Sequence, residues 1–216
     1  MVDKFFLKKT NDIILERQES TDGEFIYEAE QALLGRWREG TDLEFLIDML
    51  VSEITEKRLK GISFLGELGQ GVAGLHDVIF KLVNDPLPQG RRAFVGYLVN
   101  SRLYNNEIRE GLAACFLDFD LSVRAATINW AIFTTDDRLD GVAKLVEAGH
   151  GAIVSDIWRD SDLKRGLRGL SIVRSVRSGK SIQLIRESVY EEDSYIFDYL
   201  QFSERRIKAY NQFRER

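Results

Sequence analysis

The sequence predicts an all-α chain: a short α-solenoid of about four stacked helix pairs, with helical caps at both ends. Three observations predict it. An apolar i, i+3, i+4, i+7 pattern recurs four times at near-constant spacing. A second amphipathic segment lies between successive copies. Only 2 of the 216 residues are proline, and long helices exclude proline from their interiors.

Residues 1–40 read as one or two capping helices, including a helix from Glu24 to Trp37. The repeating part, residues 41–160, starts at Thr41-Asp42-Leu43-Glu44, which reads as a capping box with Thr41 as N-cap and Glu44 returning to it. Leu43, Leu46, Ile47 and Leu50 then share one helix face, as do Leu75, Val78, Ile79 and Leu82, and Leu139, Val142, Ala143 and Val146. A weaker copy is Ile108, Gly111, Leu112 and Cys115. The four starts are 32, 33 and 31 residues apart, which suggests internal repetition.

The second segments follow in turn. One runs from Thr55 to Leu68, with Leu59, Ile62, Leu65 and Leu68 on its apolar side. The next starts near Gln89 and uses Phe94, Val95 and Leu98; another starts near Ser122 and uses Val123, Ala126 and Trp130. A single helix pair cannot bury its own apolar face, so such units stack. Asp85-Pro86-Leu87-Pro88 ends one helix and starts the next, Asp120 or Ser122 caps the helix that follows, and Gly149 and Gly151 flank His150 at a helix end.

These segments resemble HEAT-like repeats. Lys57 to Gly69 looks like the second helix of such a repeat. Asp120-Leu121-Ser122-Val123-Arg124-Ala125-Ala126 follows the family's Asp-x-x-Val-Arg-x-x-Ala pattern, and Asp85-Pro86 with Arg91-Arg92-Ala93 is a looser match. The resemblance covers residues 41–160 and implies a fold more than an activity. Gly61 and Gly96 stand where alanine is usual. Ankyrin-like repeats, of similar period, are the alternative, although their Thr-Pro-Leu-His turn motif is absent.

Residues 161–216 read as an irregular helical cap of the same single domain, 1–216. Leu163, Leu167 and Leu170 face one way and Lys164, Arg165 and Arg168 the other, with the helix ending or kinking near Gly169. Tyr190, Tyr195, Phe197, Tyr199, Phe202, Tyr210 and Phe213 make the tail aromatic.

The net charge is −5 and unevenly spread: residues 1–150 hold 17 Lys/Arg against 25 Asp/Glu, and residues 151–216 hold 13 against 10. An acidic body is a poor phosphate-binding footprint and suits a basic protein partner. One cysteine, Cys115, allows no internal disulfide, which points to a cytoplasmic location. Phe5-Phe6-Leu7 is too short for a secretory core, and no apolar run approaches the roughly 18 residues that cross a bilayer.

No catalytic residue, metal ligand or cofactor is predicted. Gly69-Gln70-Gly71-Val72-Ala73-Gly74 matches G-x-G-x-x-G, but a dinucleotide site needs a strand before it and the preceding spacing is helical. His76, His150 and Cys115 make no familiar zinc set. Arg58, Arg92 and Arg124 recur along the second helices as a cationic stripe or a structural ladder. From Lys164 to Arg186 there are seven basic residues and no acid, a contact surface or a face paired with Glu187, Glu191, Glu192 and Asp193. Arg92, Arg124, Trp130, Trp158, Arg165 and Arg168 are therefore the candidate partner-binding residues. The functional expectation is a non-enzymatic protein-binding repeat module with a concave surface; in sharper form, a bacterial immunity protein neutralising a basic toxin. Two alternatives stand beside it, the first from the resemblance and the second from the aromatic tail. One is a HEAT-like DNA-repair glycosylase drawing on Trp130, Trp158 and Asp156; the other is an assembly or regulatory adaptor that self-associates through its aromatic C-terminus.

Overall fold

The computed structural model describes residues 23–68, 72–101, 103–149, 156–187 and 193–214, the first and last few of some helices by backbone alone. Among them are twelve α-helices, two 3-10 turns and no strand, so the chain is all-α. No helix among the described residues is long and apolar enough to cross a membrane. The chain divides into two compact units, Met1–Ile79 and Phe80–Arg216.

In the first unit, α1 (Gly23–Arg38), α2 (Leu43–Leu50) and α3 (Thr55–Leu68) form where helices were predicted, and α2 buries Leu46, Met49 and Leu50, with the predicted Leu43 and Ile47 half-exposed. α3 packs on both α1 and α2. Trp37 meets Phe64 edge to face, with ring centroids 5.2 Å apart, over a core that includes Leu33, Leu34, Leu46, Met49 and Leu65. The buried face of α3 is Gly61, Phe64, Leu65 and Leu68, rotated from the predicted stripe, because Leu59 and Ile62 stay half-exposed. Gly61 explains the rotation. A methyl group there would stand 2.8 Å from Met49 Cβ and 3.1 Å from the Leu50 backbone nitrogen, so only glycine lets α2 and α3 approach this closely.

The capping box does not form. Asp42, not Thr41, precedes α2, and its backbone is left-handed at φ 53° with no side-chain cap. Its carboxylate is held by Arg36, its carbonyl accepts from Trp37 Nε1 at 3.0 Å, and the Thr41 hydroxyl donates to the Arg36 carbonyl. Non-local partners have taken the groups that the box requires.

α4 (His76–Lys81) crosses the division in the chain and ends in a 3-10 turn at Asn84. The second unit holds α5 (Pro88–Asn100), α6 (Asn106–Leu117), α7 (Leu121–Phe133), α8 (Asp136–Glu147) and α9 (Asp156–Arg177). The short α10 (Ile182–Arg186), α11 (Ser194–Gln201) and α12 (Glu204–Arg214) complete it. Pro88 occupies the first turn of α5 as predicted. Asn105 caps α6 by accepting from the Ile108 N–H at 2.8 Å. α8 closes at Gly149, whose φ of 69° suits glycine.

Helices of like rank lie against one another: α6 on α8, α5 on α7, and α7 on α9. α11 and α12 also cover α7. Every residue of α7 from Val123 to Ile132 is consequently buried, including Trp130. α9 does not end at Gly169 but runs on to Arg177. Gly166 and Gly169 serve as a contact face instead: a methyl group on Gly166 would lie 2.5 Å from Leu117 and 2.9 Å from Val146, and one on Gly169 would lie 3.2 Å from Phe116. Leu167, expected on the apolar side, is exposed, whereas Leu170, Val173 and Val176 are buried. In the C-terminal part Phe197 is buried, and Tyr210 stacks edge-on against Phe133 while donating to the Thr134 carbonyl. Phe202 stands 94% exposed. Tyr190 lies outside the described residues, as does the Phe213 side chain.

The two glycines at positions where the resemblance implied alanine, Gly61 and Gly96, are not equivalent. Gly96 lies mid-helix in α5, and a methyl group there would meet nothing within 4 Å. Gly96→Ala is expected to stabilise the protein by about 0.5–1 kcal/mol through helix propensity. Gly61→Ala is expected to destabilise it by about 1–3 kcal/mol, because backbone must shift. Urea unfolding midpoints of the two variants, moving in opposite directions, check this.

Candidate partner-binding surface

The turns before α3, α5 and α7 are built the same way. The side-chain oxygens of Ser52, Asp85 and Asp118 accept from the backbone N–H two residues on, at 3.2, 2.8 and 2.8 Å. An arginine six residues later returns to the same turn: Arg58 Nη1 donates to the Ser52 carbonyl at 2.7 Å, Arg91 Nη1 to that of Asp85 at 2.8 Å, and Arg124 Nη1 to that of Asp118 at 2.7 Å. Positions 52, 85 and 118 are 33 apart, as are 58, 91 and 124. The carbonyls of a tight turn have no helix partner, and a guanidinium supplies the missing donors. The recurring arginine of α5 is thus Arg91, one residue before the expected Arg92. Arg92 itself is exposed.

Arg91 also makes a two-pronged bond to Asp118, with Nε at 2.6 Å from Oδ2 and Nη2 at 3.1 Å from Oδ1. Burial works against the Arg91 charge, but the bond and charge of Asp118, with Asp120 behind it, outweigh burial and raise its pKa above the ordinary value. The Phe119 ring covers the guanidinium, with its centroid 5.1 Å away, yet Phe119 is 75% exposed. A large exposed aromatic is thus held over a fixed ion pair at the turn.

Arg124 is used internally. It is only 4% exposed and bonds the carbonyls of Asp118 and Phe119. Its Nη2 lies 3.5 Å from Oδ1 of Asp193, which also accepts from Arg168 Nε at 2.9 Å. Asp193 is 2% exposed. Burial, together with the charges of Arg165 and Arg168, outweighs Asp193 and lowers the Arg124 pKa. Arg165 pairs with Asp162 on its own helix. Farther along α9, Arg174 pairs with Glu147, and Arg177 bonds Asp136 and the carbonyls of Ala131 and Thr134. Five of the seven basic residues between Lys164 and Arg186 therefore carry acidic partners, Arg186 pairing with Asp198. These partners come mostly from α8, α9 and α11 rather than from the acidic run downstream.

Of the expected contact residues, Arg92 is exposed, Arg165 and Arg168 are half-buried and paired, and Arg124 and Trp130 are interior. The Trp158 and Asp156 side chains, His150, Gly151 and the Gly69–Gly71 segment lie outside what the structure describes. The residue before that segment, Leu68, ends a helix rather than a strand. Among the described residues, no three His, Cys, Asp or Glu side chains group as a metal site. Burial raises the Cys115 thiol pKa strongly.

Asp120 caps α7, as one of the two expected candidates. Its Oδ1 accepts from the Ser122 N–H at 2.8 Å, the Val123 N–H at 3.3 Å and the Ser122 hydroxyl at 2.5 Å. Burial pushes its pKa up, but these bonds and Arg91 prevail and leave it below the usual carboxylate value. A depressed carboxylate stabilises the fold fully above its unfolded pKa, near 3.9. That contribution is lost as pH falls through the lower folded value. Asp120→Ala is expected to cost about 1 kcal/mol at neutral pH and less at pH 3, as read from unfolding midpoints at the two pH values.

No protein-family model, curated protein or solved structure matches the chain.

Proposed function

We propose that the chain is a non-enzymatic protein-binding module, a short α-solenoid of HEAT-like helix pairs acting through its surface. The observation that carries this reading is the turn repeated at Ser52–Arg58, Asp85–Arg91 and Asp118–Arg124. It marks a unit that recurs for architecture, since its arginines and acids are taken up in holding the turn. The like-on-like helix contacts of the second unit agree with stacked pairs. Arg124 and Trp130 leave the set of contact residues; Arg92 stays and Phe119 joins it. In its sharper form the module is a bacterial immunity protein, because the acidic body complements a basic toxin.

The adaptor reading draws support from Phe202, an aromatic tip 94% exposed between α11 and α12. The glycosylase reading, which draws on Trp130, Trp158 and Asp156, loses the first of them, since Trp130 is interior and cannot line a DNA groove. Affinity capture from native lysate, with and without nuclease, tests the proposal. One stoichiometric, nuclease-resistant protein is the expected outcome, and a small basic protein would make it an immunity pair. Loss of every partner on nuclease treatment would contradict it.

A further inference from the structure

α12 is joined to α11 by a turn that the local sequence does not require. From Ser194 to Arg214 there is no glycine or proline, and Phe202 in the turn keeps a helical backbone, with φ −62° and ψ −25°. The inward residues of the two helices continue one another. Ile196, Leu200, Ser203, Ile207 and Tyr210 are spaced by four, three, four and three, which on an unbroken helix holds them within an arc of about 80°. Ile196, Leu200 and Ile207 are buried, and Ser203 and Tyr210 half-buried. One straight helix would offer the same face.

α12 instead folds back onto a seat on its own body. The Ser203 hydroxyl donates to Asn129 Oδ1 at 3.2 Å, and Asn211 Nδ2 to the Val176 carbonyl at 2.9 Å. Tyr210 meets Phe133 edge-on and bonds the Thr134 carbonyl, and the Arg206 guanidinium lies over the Phe133 ring, 4.4 Å from its centroid. Among the described residues of α12 only Ile207 is buried, so a few specific contacts hold the helix. The bend opposes them twice. It opens a new helix start, whose first N–H groups lose intrahelical partners, and it sets the Phe202 ring in water at the corner.

We infer that the seat formed by Asn129, Phe133, Thr134 and Val176 also receives α12 of a second copy of this chain. In the exchanged dimer α11 and α12 run on as one helix. Each α12 makes on the other chain the contacts it makes on its own, and the two corners cross near the twofold axis, where the Phe202 rings pack on one another. The seat itself names the occupant, because its contacts are already matched to Ser203, Tyr210 and Asn211. Straightening removes both penalties of the bend. The exchange needs no other protein, so it stands or falls apart from the binding-module reading, and it goes beyond an aromatic self-contact by naming the element that is traded.

The test uses the purified full chain, with mass read by light scattering after size exclusion over a wide concentration range. A concentration-dependent dimer is expected. Two glycines inserted between Phe202 and Ser203 break the straight helix but leave the seat and the Phe202 ring intact, and are expected to weaken dimerisation roughly tenfold or more. Phe202→Ser is expected to weaken it roughly tenfold through lost burial, with the unfolding midpoint of the dilute monomer unchanged. A photoreactive benzoylphenylalanine at position 210, against Phe133, is expected to give covalent dimers joined to the 129–134 segment of the other chain. Circular dichroism confirms that each variant folds, and the glycine insertion keeps the test decisive if the probe at position 210 unseats α12. A monomer at every concentration, a dimer whose position-210 adducts all stay within one chain, or an insertion that leaves dimerisation unchanged overturns the proposal.

Discussion

Arg124→Ala is expected to destabilise the protein by about 3–5 kcal/mol, the cost of removing one member of a buried ion pair. The substitution strips donors from the carbonyls of Asp118 and Phe119 and takes one of two cations, Arg124 and Arg168, from Asp193, which is 2% exposed. Arg92→Ala, by contrast, is expected to change stability by less than about 0.5 kcal/mol, as at most exposed positions. Urea unfolding of both variants separates two meanings of the arginine ladder. A ladder made for a partner would leave folding intact when Arg124 is lost. A ladder made for the fold gives the asymmetry expected here.

The second large effect concerns Trp130. It is 4% exposed on α7, and Trp130→Ala is expected to cost about 3–5 kcal/mol. A tryptophan anchoring a partner from a groove would show weaker binding and little loss of stability. Here the loss appears in thermal or urea unfolding of the isolated protein. Trp130→Phe, which keeps most of the buried area, should recover a large part of it.

The helices were largely legible because amphipathic spacing is a local property. The segment from Thr55 to Leu68 has the predicted bounds, Pro88 stands where a proline starts a helix, and Asp120 caps α7. What escaped prediction depends on contacts distant in sequence. Arg91 and Arg92 are adjacent and about 100° apart around a helix, and only the turn at Asp85 decides which of them faces inward. Gly169 reads as a break by propensity, but its close approach to Phe116 is a tertiary gain that keeps α9 whole. Trp130, by contrast, lies in the core that its apolar spacing indicated, covered by α11, and only its alternative use as a groove anchor is lost. Thr41 reads as a cap until Arg36 and Trp37 claim Asp42.

A signal for the repeated turn was present in the sequence. Ser52, Asp85 and Asp118 each precede an arginine by six residues at an even spacing. Apolar periodicity alone, with starts 32, 33 and 31 residues apart, blurs that register. Polar groups that close a turn mark it more sharply than the apolar face does, because their geometry admits less slippage.

The measurement that tests the account most directly is site-specific photo-crosslinking in the native host, with the reactive side chain at Phe119 and, separately, at Arg92. A surface-acting protein-binding module predicts one protein adduct of discrete mass from either position, unchanged by nuclease. Adducts to nucleic acid alone, or adducts that vanish on nuclease treatment, would contradict it.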